Sequence, residues 1–293
     1  MKVKDIISKF REELVGIYSF DELDQILFLV LESELKFKRT DLVLQADRKL
    51  HIHESLRLNE ILGNLQRGMP LQYVLGHAWF DGMKFYVNQD VLIPRQETEE
   101  LVNWIHSSIL PESSTAYGKC LDIGTGSGCI AISLKKRMHF LSVTGLDISE
   151  KAIAVASKNS KDLGVPVSWC VGDILHWEKM REETPMIRDQ EFDVIVSNPP
   201  YVMQTEKSRM ESRVTDFEPH SALFVSDADP LIFYRKISEF AFHTLKAGAY
   251  LYFEINEAKG EDVTELMEKA GFQDIEVRKD LQEKNRMVRA RKV

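Results

Sequence analysis

Asn198-Pro199-Pro200-Tyr201 follows the apolar run Phe192-Asp193-Val194-Ile195-Val196-Ser197. The run reads as a buried strand, and the four residues as an irregular turn leaving its carboxyl end. A single Asx-Pro turn after a strand is common. Two prolines between an amide and an aromatic ring ask for a further reason. Proline has no N–H and a fixed φ, and each residue before a proline is pushed toward extended geometry. The turn therefore holds two stiff acceptors, the Asn198 side-chain oxygen and the Pro199 carbonyl, beside the flat ring of Tyr201. That arrangement suits a planar NH2 group: both hydrogens are accepted while the ring covers one face. Asn198, Pro199, Pro200 and Tyr201 are the candidate catalytic residues.

A second set suits a nucleoside. Gly124-Thr125-Gly126-Ser127-Gly128 lies between the short apolar run Cys120–Ile123 and a helical pattern. It lacks the full GxGxxG spacing of a dinucleotide site. Its physical content is close backbone approach to a ligand at a helix N-terminus. Asp147 ends the next strand, where a carboxylate can accept from both ribose hydroxyls. Asp173 and Ile174, after the third strand, stand where an adenine could be bracketed, or form an Asx turn. Arg95 precedes a helix beside Pro94, and helix capping does not account for it. Gly124, Thr125, Gly126, Ser127, Gly128, Asp147, Asp173, Ile174, Asn198 and Arg95 make up the candidate cofactor set.

The elements that must position these residues fall into three regions. Residues 1–70 carry helical patterns over Asp5–Tyr18, from Asp21 with its Leu23, Ile26, Leu27, Val30 and Leu31 stripe, over Asp41–Leu50 and over Glu54–Gln66. They predict a small helical bundle, closed by Gly68 and Pro70. Residues 71–90 form a linker with a β-hairpin, signalled by Asp81-Gly82 between two aromatic-rich runs. From residue 91 to 293 strand and helix alternate: strands at Cys120–Ile123, Leu141–Asp147, Pro166–Val171, Phe192–Ser197, Tyr250–Glu254, Ile275–Val277 and Met287–Ala290. This predicts a Rossmann-like, doubly wound α/β fold with a mostly parallel sheet. The charged stretch His176–Gln190, interrupted by Pro185, reads as a mobile surface insertion.

The totals narrow the function. The chain has 293 residues, 44% hydrophobic and 29% charged, with a net charge of −8. That acidity argues against nucleic-acid binding through bulk electrostatics. The short Arg286, Arg289, Arg291 and Lys292 cluster reads as the solvated guard of a late strand. No run is long enough to span a bilayer and the first residues are no signal peptide, so a cytoplasmic protein without membrane attachment is expected. Cys120, Cys129 and Cys170 are expected to be core thiols. His51 and His53 have no carboxylate or cysteine set around them, so no metal is expected.

Together these residues resemble the class I S-adenosylmethionine-dependent methyltransferases, whose glycine-rich turn faces the methionine portion of the donor and whose acidic residue holds its ribose. NPPY is the signature of the members that methylate planar nitrogens. The order of Pro70-Leu71-Gln72-Tyr73-Val74-Leu75-Gly76, Ile93-Pro94-Arg95-Gln96-Glu97-Thr98-Glu99, the glycine turn, NPPY and Asp216-Phe217-Glu218-Pro219 resembles the HemK/PrmC family over essentially the whole chain. That resemblance implies transfer of a methyl from S-adenosyl-L-methionine, leaving S-adenosyl-L-homocysteine. The acceptor it implies is the side-chain amide nitrogen (N5) of the glutamine in the Gly-Gly-Gln motif of peptide chain release factors. The helical region and hairpin would then grip the protein substrate. Two departures stand at the edges: Asp227-Ala228-Asp229-Pro230 replaces a common Asp-Gly-Leu, and the segment 280–286 lacks the usual glycine. The rival readings are a DNA or RNA adenine N6-methyltransferase, which needs a flipped base and a basic groove, and a silent S-adenosylmethionine-binding protein.

Overall fold

The computed structural model describes residues 1–109 and 118–293. Two compact units form, Met1–His77 with Glu211–Phe217, and Ala78–Met210 with Glu218–Val293.

The first unit contains α1 (Val3–Leu14), α2 (Phe20–Leu35), α3 (Asp41–Leu44), α4 (Ile52–Gln66) and α5 (Leu71–Leu75). Ile6 and Phe10 of α1, Ile26 and Val30 of α2, and Leu58 and Ile61 of α4 meet in one buried cluster. Ser19, not Asp21, caps α2, accepting from the Glu22 amide at 3.4 Å. Asp21 occupies the first turn, where its charge suits the helix dipole. The helix expected over Asp41–Leu50 is a single turn. The carbonyls of Ala46 and Arg48 accept instead from Lys4 and Val3, at 2.9 and 3.0 Å. They satisfy the otherwise unpartnered first amides of α1. Arg213 belongs to this unit, 4.9 Å from the Tyr18 ring centre and 2.6 Å from Glu22.

The second unit opens with the expected hairpin, β1 (His77–Phe80) and β2 (Met83–Tyr86). Asp81 and Gly82 have φ of 51° and 68°, the left-handed pair that a two-residue hairpin turn requires. Phe80, Met83 and Phe85 are buried in the core of this unit. There follow α6 (Gln96–Ser108), β3 (Lys119–Ile123), α7 (Cys129–Arg137), β4 (Ser142–Asp147), α8 (Glu150–Leu163) and β5 (Ser168–Val171). Next come α9 (Trp177–Glu183), α10 (Pro185–Arg188), β6 (Phe192–Ser197), β7 (Val202–Met203), α11 (Ser212–Phe217, in the first unit), α12 (His220–Leu223) and β8 (Phe224–Val225). The chain ends with α13 (Ile232–Thr244), β9 (Leu245–Glu254), α14 (Gly260–Lys269), β10 (Gln273–Lys279) and β11 (Asn285–Arg291).

Seven strands form one sheet in the order β10-β11-β9-β6-β3-β4-β5. Only β11 runs against the rest, pairing antiparallel with both β9 and β10. Alternate residues feed the two faces. Leu121, Ile123, Ile195, Leu251 and Phe253 pack with α13 and α14 residues on one side. Cys120, Val194, Val196 and Tyr252 pack with α6 and α7 residues on the other. Burial on both faces is what a parallel sheet needs.

Two expectations are corrected here. Residues 176–190 are no loose insertion: Trp177, Met180 and Ile187 belong to the buried core. The Trp177 ring meets Phe240 edge-on at 6.1 Å and stacks on His243 at 5.2 Å. Of the late arginines, Arg286 and Arg289 are not solvated guards either, whereas Arg291 is exposed. Arg286 pairs with Asp280 at 3.0 Å, and Arg289 with Glu276 at 2.7 Å while lying over Trp104 and Tyr250. The three cysteines are buried and free. No helix among the described residues is long and apolar enough to cross a membrane.

Candidate active site

Strand register brings the candidate residues level. Ile123 pairs with Ser197 on one side and Leu146 on the other, and Asp147 pairs with Val171. Gly124, Asn198, Asp147 and Gly172 therefore emerge side by side at the carboxyl ends. The chain winds outward in both directions from β3, and the crevice at such a switch point is where open α/β sheets take ligands. A cavity of about 320 Å³ lies there, lined by Gly124, Gly126, Asp147, Asp173, Ile174, Asn198, Pro199 and Pro200 among others. Leu92, Ile148, Leu175 and Phe233 add apolar wall.

In the glycine turn, Gly124, Gly126 and Gly128 have φ of 72°, 53° and 80°, values that a side chain resists. Of this turn, Thr125, Ser127 and Gly128 are not in the wall. Thr125 Oγ1 donates to Asp122 Oδ2 at 2.5 Å, and the Ser127 carbonyl accepts from Asn159 at 2.9 Å. Gly128 precedes α7 and bonds the Thr125 carbonyl at 2.8 Å. They shape the turn from behind. Asp122 is fully buried, and that burial pushes its carboxyl up to about 7.

Both Asp147 oxygens accept backbone amides, Oδ2 from Gly126 and Oδ1 from Ser149, each at 2.9 Å. Burial raises its pKa, against the pull of those amides. Each oxygen keeps acceptor capacity for a hydroxyl. Asp173 forms the Asx turn and also borders the cavity. Its Oδ1 accepts from Leu175 N at 2.9 Å and Oδ2 meets His176 Nδ1 at 2.7 Å. Arg95 stands behind the wall: its Nη2 donates to Glu218 Oε1 at 2.5 Å. Glu218, 4% exposed, also accepts from Ile93 N at 3.3 Å. This ties the approach to α6 to the stretch whose Pro219 and Ala222 line the cavity.

Tyr201 differs most from expectation. Its ring packs against the core cluster and is not among the cavity-lining residues. Its hydroxyl donates to Glu254 Oε1 at 3.2 Å. Asn198 Nδ2 donates to Thr98 Oγ1 at 3.2 Å, and Thr98 Oγ1 donates to Glu254 Oε2 at 2.6 Å. Neither Thr98 nor Glu254 was a candidate. Both leave a trace in the chain: Thr98 heads the buried stripe Thr98, Leu101, Val102, Ile105 of α6, and Glu254 is a carboxylate closing the apolar run of β9.

An acidic residue ending the second parallel strand, a glycine turn ending the first and the Asn198-Pro199-Pro200-Tyr201 turn ending the fourth, on this sheet, mark a Rossmann-like methyltransferase fold. Residues 105–216 match the methyltransferase small domain and residues 6–76 the PrmC N-terminal domain. The chain is 43% identical over 289 residues to the release factor glutamine methyltransferase of Flavobacterium psychrophilum, covering 99% of each. To that of Bacteroides thetaiotaomicron it is 41% identical, over 97% of this chain and 98% of the other. A Thermus thermophilus 16S rRNA N2 methyltransferase, solved with AdoMet and guanosine, shares the fold: TM-score 0.52, 16% identity, 74% of this chain and 50% of that one. The human methyltransferase 10 domain containing protein aligns with TM-score 0.50 at 14% identity, over 82% of this chain and 97% of that one. The chain belongs to the release factor glutamine methyltransferase family.

Proposed function

We propose that this chain transfers a methyl group from S-adenosyl-L-methionine to the side-chain amide nitrogen of the glutamine in the Gly-Gly-Gln motif of peptide chain release factors. The observation that carries this reading is the placement of Asn198 and Pro199 in one cavity wall with Gly124, Gly126 and Asp147. Relatives of the same length, named for this reaction, support it. The donor fits the residues present: glycine backbone for close approach, Asp147 for ribose hydroxyls, and Ile148 and Ile174 for an adenine face. It would supply an electrophilic methyl on a sulfonium.

The chain's own part is to make an amide nitrogen reactive. Amide resonance withdraws the nitrogen lone pair into the carbonyl. Asn198 Oδ1 and the Pro199 carbonyl would each accept one N–H, and so favour the positive charge that grows on nitrogen during attack. As the N–C bond forms the C–S bond breaks, and one N–H proton passes to solvent. Tyr201 holds the exit of the turn through Glu254. Much of the acceleration would come from positioning, several kcal/mol by the usual measure of such effects.

The nucleic-acid alternative calls for a basic groove, and the late arginines it would draw on are paired with carboxylates. The test is incubation of the chain with S-adenosylmethionine and purified release factor, followed by peptide mass mapping. One methyl on the Gly-Gly-Gln glutamine is expected. Transfer only to adenine would overturn the reading.

A further inference from the structure

Thr98 and Glu254 lie outside the cavity wall, yet both ends of the Asn198–Tyr201 turn are tied to them. Register explains the meeting. Ser197 of β6 pairs with Phe253 of β9, so Asn198 and Glu254 leave adjacent strands at the same level. The α6 helix lays Leu101, Val102 and Ile105 into the core, and Trp104 meets Tyr252 edge-on at 5.5 Å. One turn earlier the same face delivers Thr98, which is 3% exposed; Glu254 is 1% exposed.

The geometry gives the hydrogen bonds in this network a direction. Thr98 Oγ1 donates to Glu254 Oε2 at 2.6 Å, and an ionised carboxylate there only accepts. Thr98 Oγ1 is then left to accept, and what it accepts is the Asn198 NH2 at 3.2 Å. The other branch of that planar amide, Oδ1, is left for a ligand. Were the amide reversed, the turn would offer one donor beside the Pro199 carbonyl, a pattern that repels one hydrogen of an incoming NH2. Burial, and to a lesser degree the Glu97 charge, raise the Glu254 pKa, while Thr98, Arg286 and Tyr201 act against them.

We propose that Thr98, anchored by Glu254, is a positioning residue that fixes the Asn198 side chain as an acceptor and so makes the turn selective for an NH2 group. The inference rests on the reading of Asn198 and Pro199 as the two acceptors of the glutamine amide. The test uses the full chain with Thr98→Val, which keeps the shape and removes the hydroxyl, and Thr98→Ser, which restores it. For the valine variant we expect kcat roughly tenfold lower with the KM for S-adenosylmethionine within about twofold, a change confined to the transition state. The serine variant should recover to within about threefold of wild type. Thr98→Ala carries the valine expectation should valine fail to fold.

A second readout does not need turnover. The Asn198 side-chain amide protons, assigned by NMR through their loss in Asn198→Ala, should be protected from exchange in wild type and lose protection in Thr98→Val. Unchanged protection, or a valine variant with wild-type kcat, overturns the proposal. A wild-type chain that leaves release factor unmethylated overturns the functional reading alone, because the amide signals still report on Thr98.

Discussion

Asp147 shows how a carboxylate serves the fold and remains available. Its two oxygens hold the glycine turn and the start of α8 through Gly126 and Ser149, and the cavity meets them from the open side. Charge-assisted hydrogen bonds are worth about 1.5–3 kcal/mol each. Asp147→Ala should therefore weaken S-adenosylmethionine binding by roughly 30-fold or more by calorimetry; an unchanged Kd would remove it from the site. Asp122 sits one layer deeper, where burial pushes its carboxyl up to about 7. An unfolded aspartate titrates near 3.9. Between those values the folded chain holds a proton that the unfolded chain has lost, so stability falls as pH rises from about 4 to about 7 and levels off above. Relative to Asp122→Asn, the wild type should lose up to about 4 kcal/mol across that window. Urea unfolding at a series of pH values checks this, and parallel profiles for the two proteins would contradict it.

Among the elements, the hairpin and the glycine turn are stitched together by one side chain. Asn159 of α8 accepts from Tyr86 N at 2.7 Å and donates to the carbonyls of Tyr86 and Ser127 at 3.0 and 2.9 Å. Asn159→Ala strands three backbone groups, and about 2–4 kcal/mol of stability should go with them. The expected sign is a lower denaturant midpoint at unchanged m-value. The stretch 176–190 carries the clearest misreading. Its charges and Pro185 suggest a loop, while its core contribution comes from three separated residues, Trp177, Met180 and Ile187. Too few apolar positions recur for a period to show, so only the neighbouring α13 surface reveals which side is buried. Ile187 is 0% exposed, and Ile187→Ala should destabilise by about 2–4 kcal/mol; a surface insertion would lose almost nothing.

For the molecule as a whole, the chain divides into two compact units, one of them mainly residues 1–77. A chain beginning at Ala78 should keep S-adenosylmethionine affinity within about threefold while losing transfer to release factor, if protein recognition resides in the helical unit. Equal transfer by the shortened chain would place recognition elsewhere. By itself the sequence determined the strand–helix alternation, the glycine turn, Asp147 and the NPPY turn at strand ends. Those features rest on local periodicity and on the fixed torsions of glycine and proline, which neighbours in the chain dictate. Tertiary structure alone decided that Tyr201 packs against the core, that Arg95 pairs with Glu218, and that Thr98 and Glu254 meet Asn198. These contacts join positions 53 to 156 residues apart. They exist because β9 lies beside β6 in continuous register from Val194 to Ser197 and α6 packs against β9 on one face of the sheet, an arrangement that no short stretch of chain encodes.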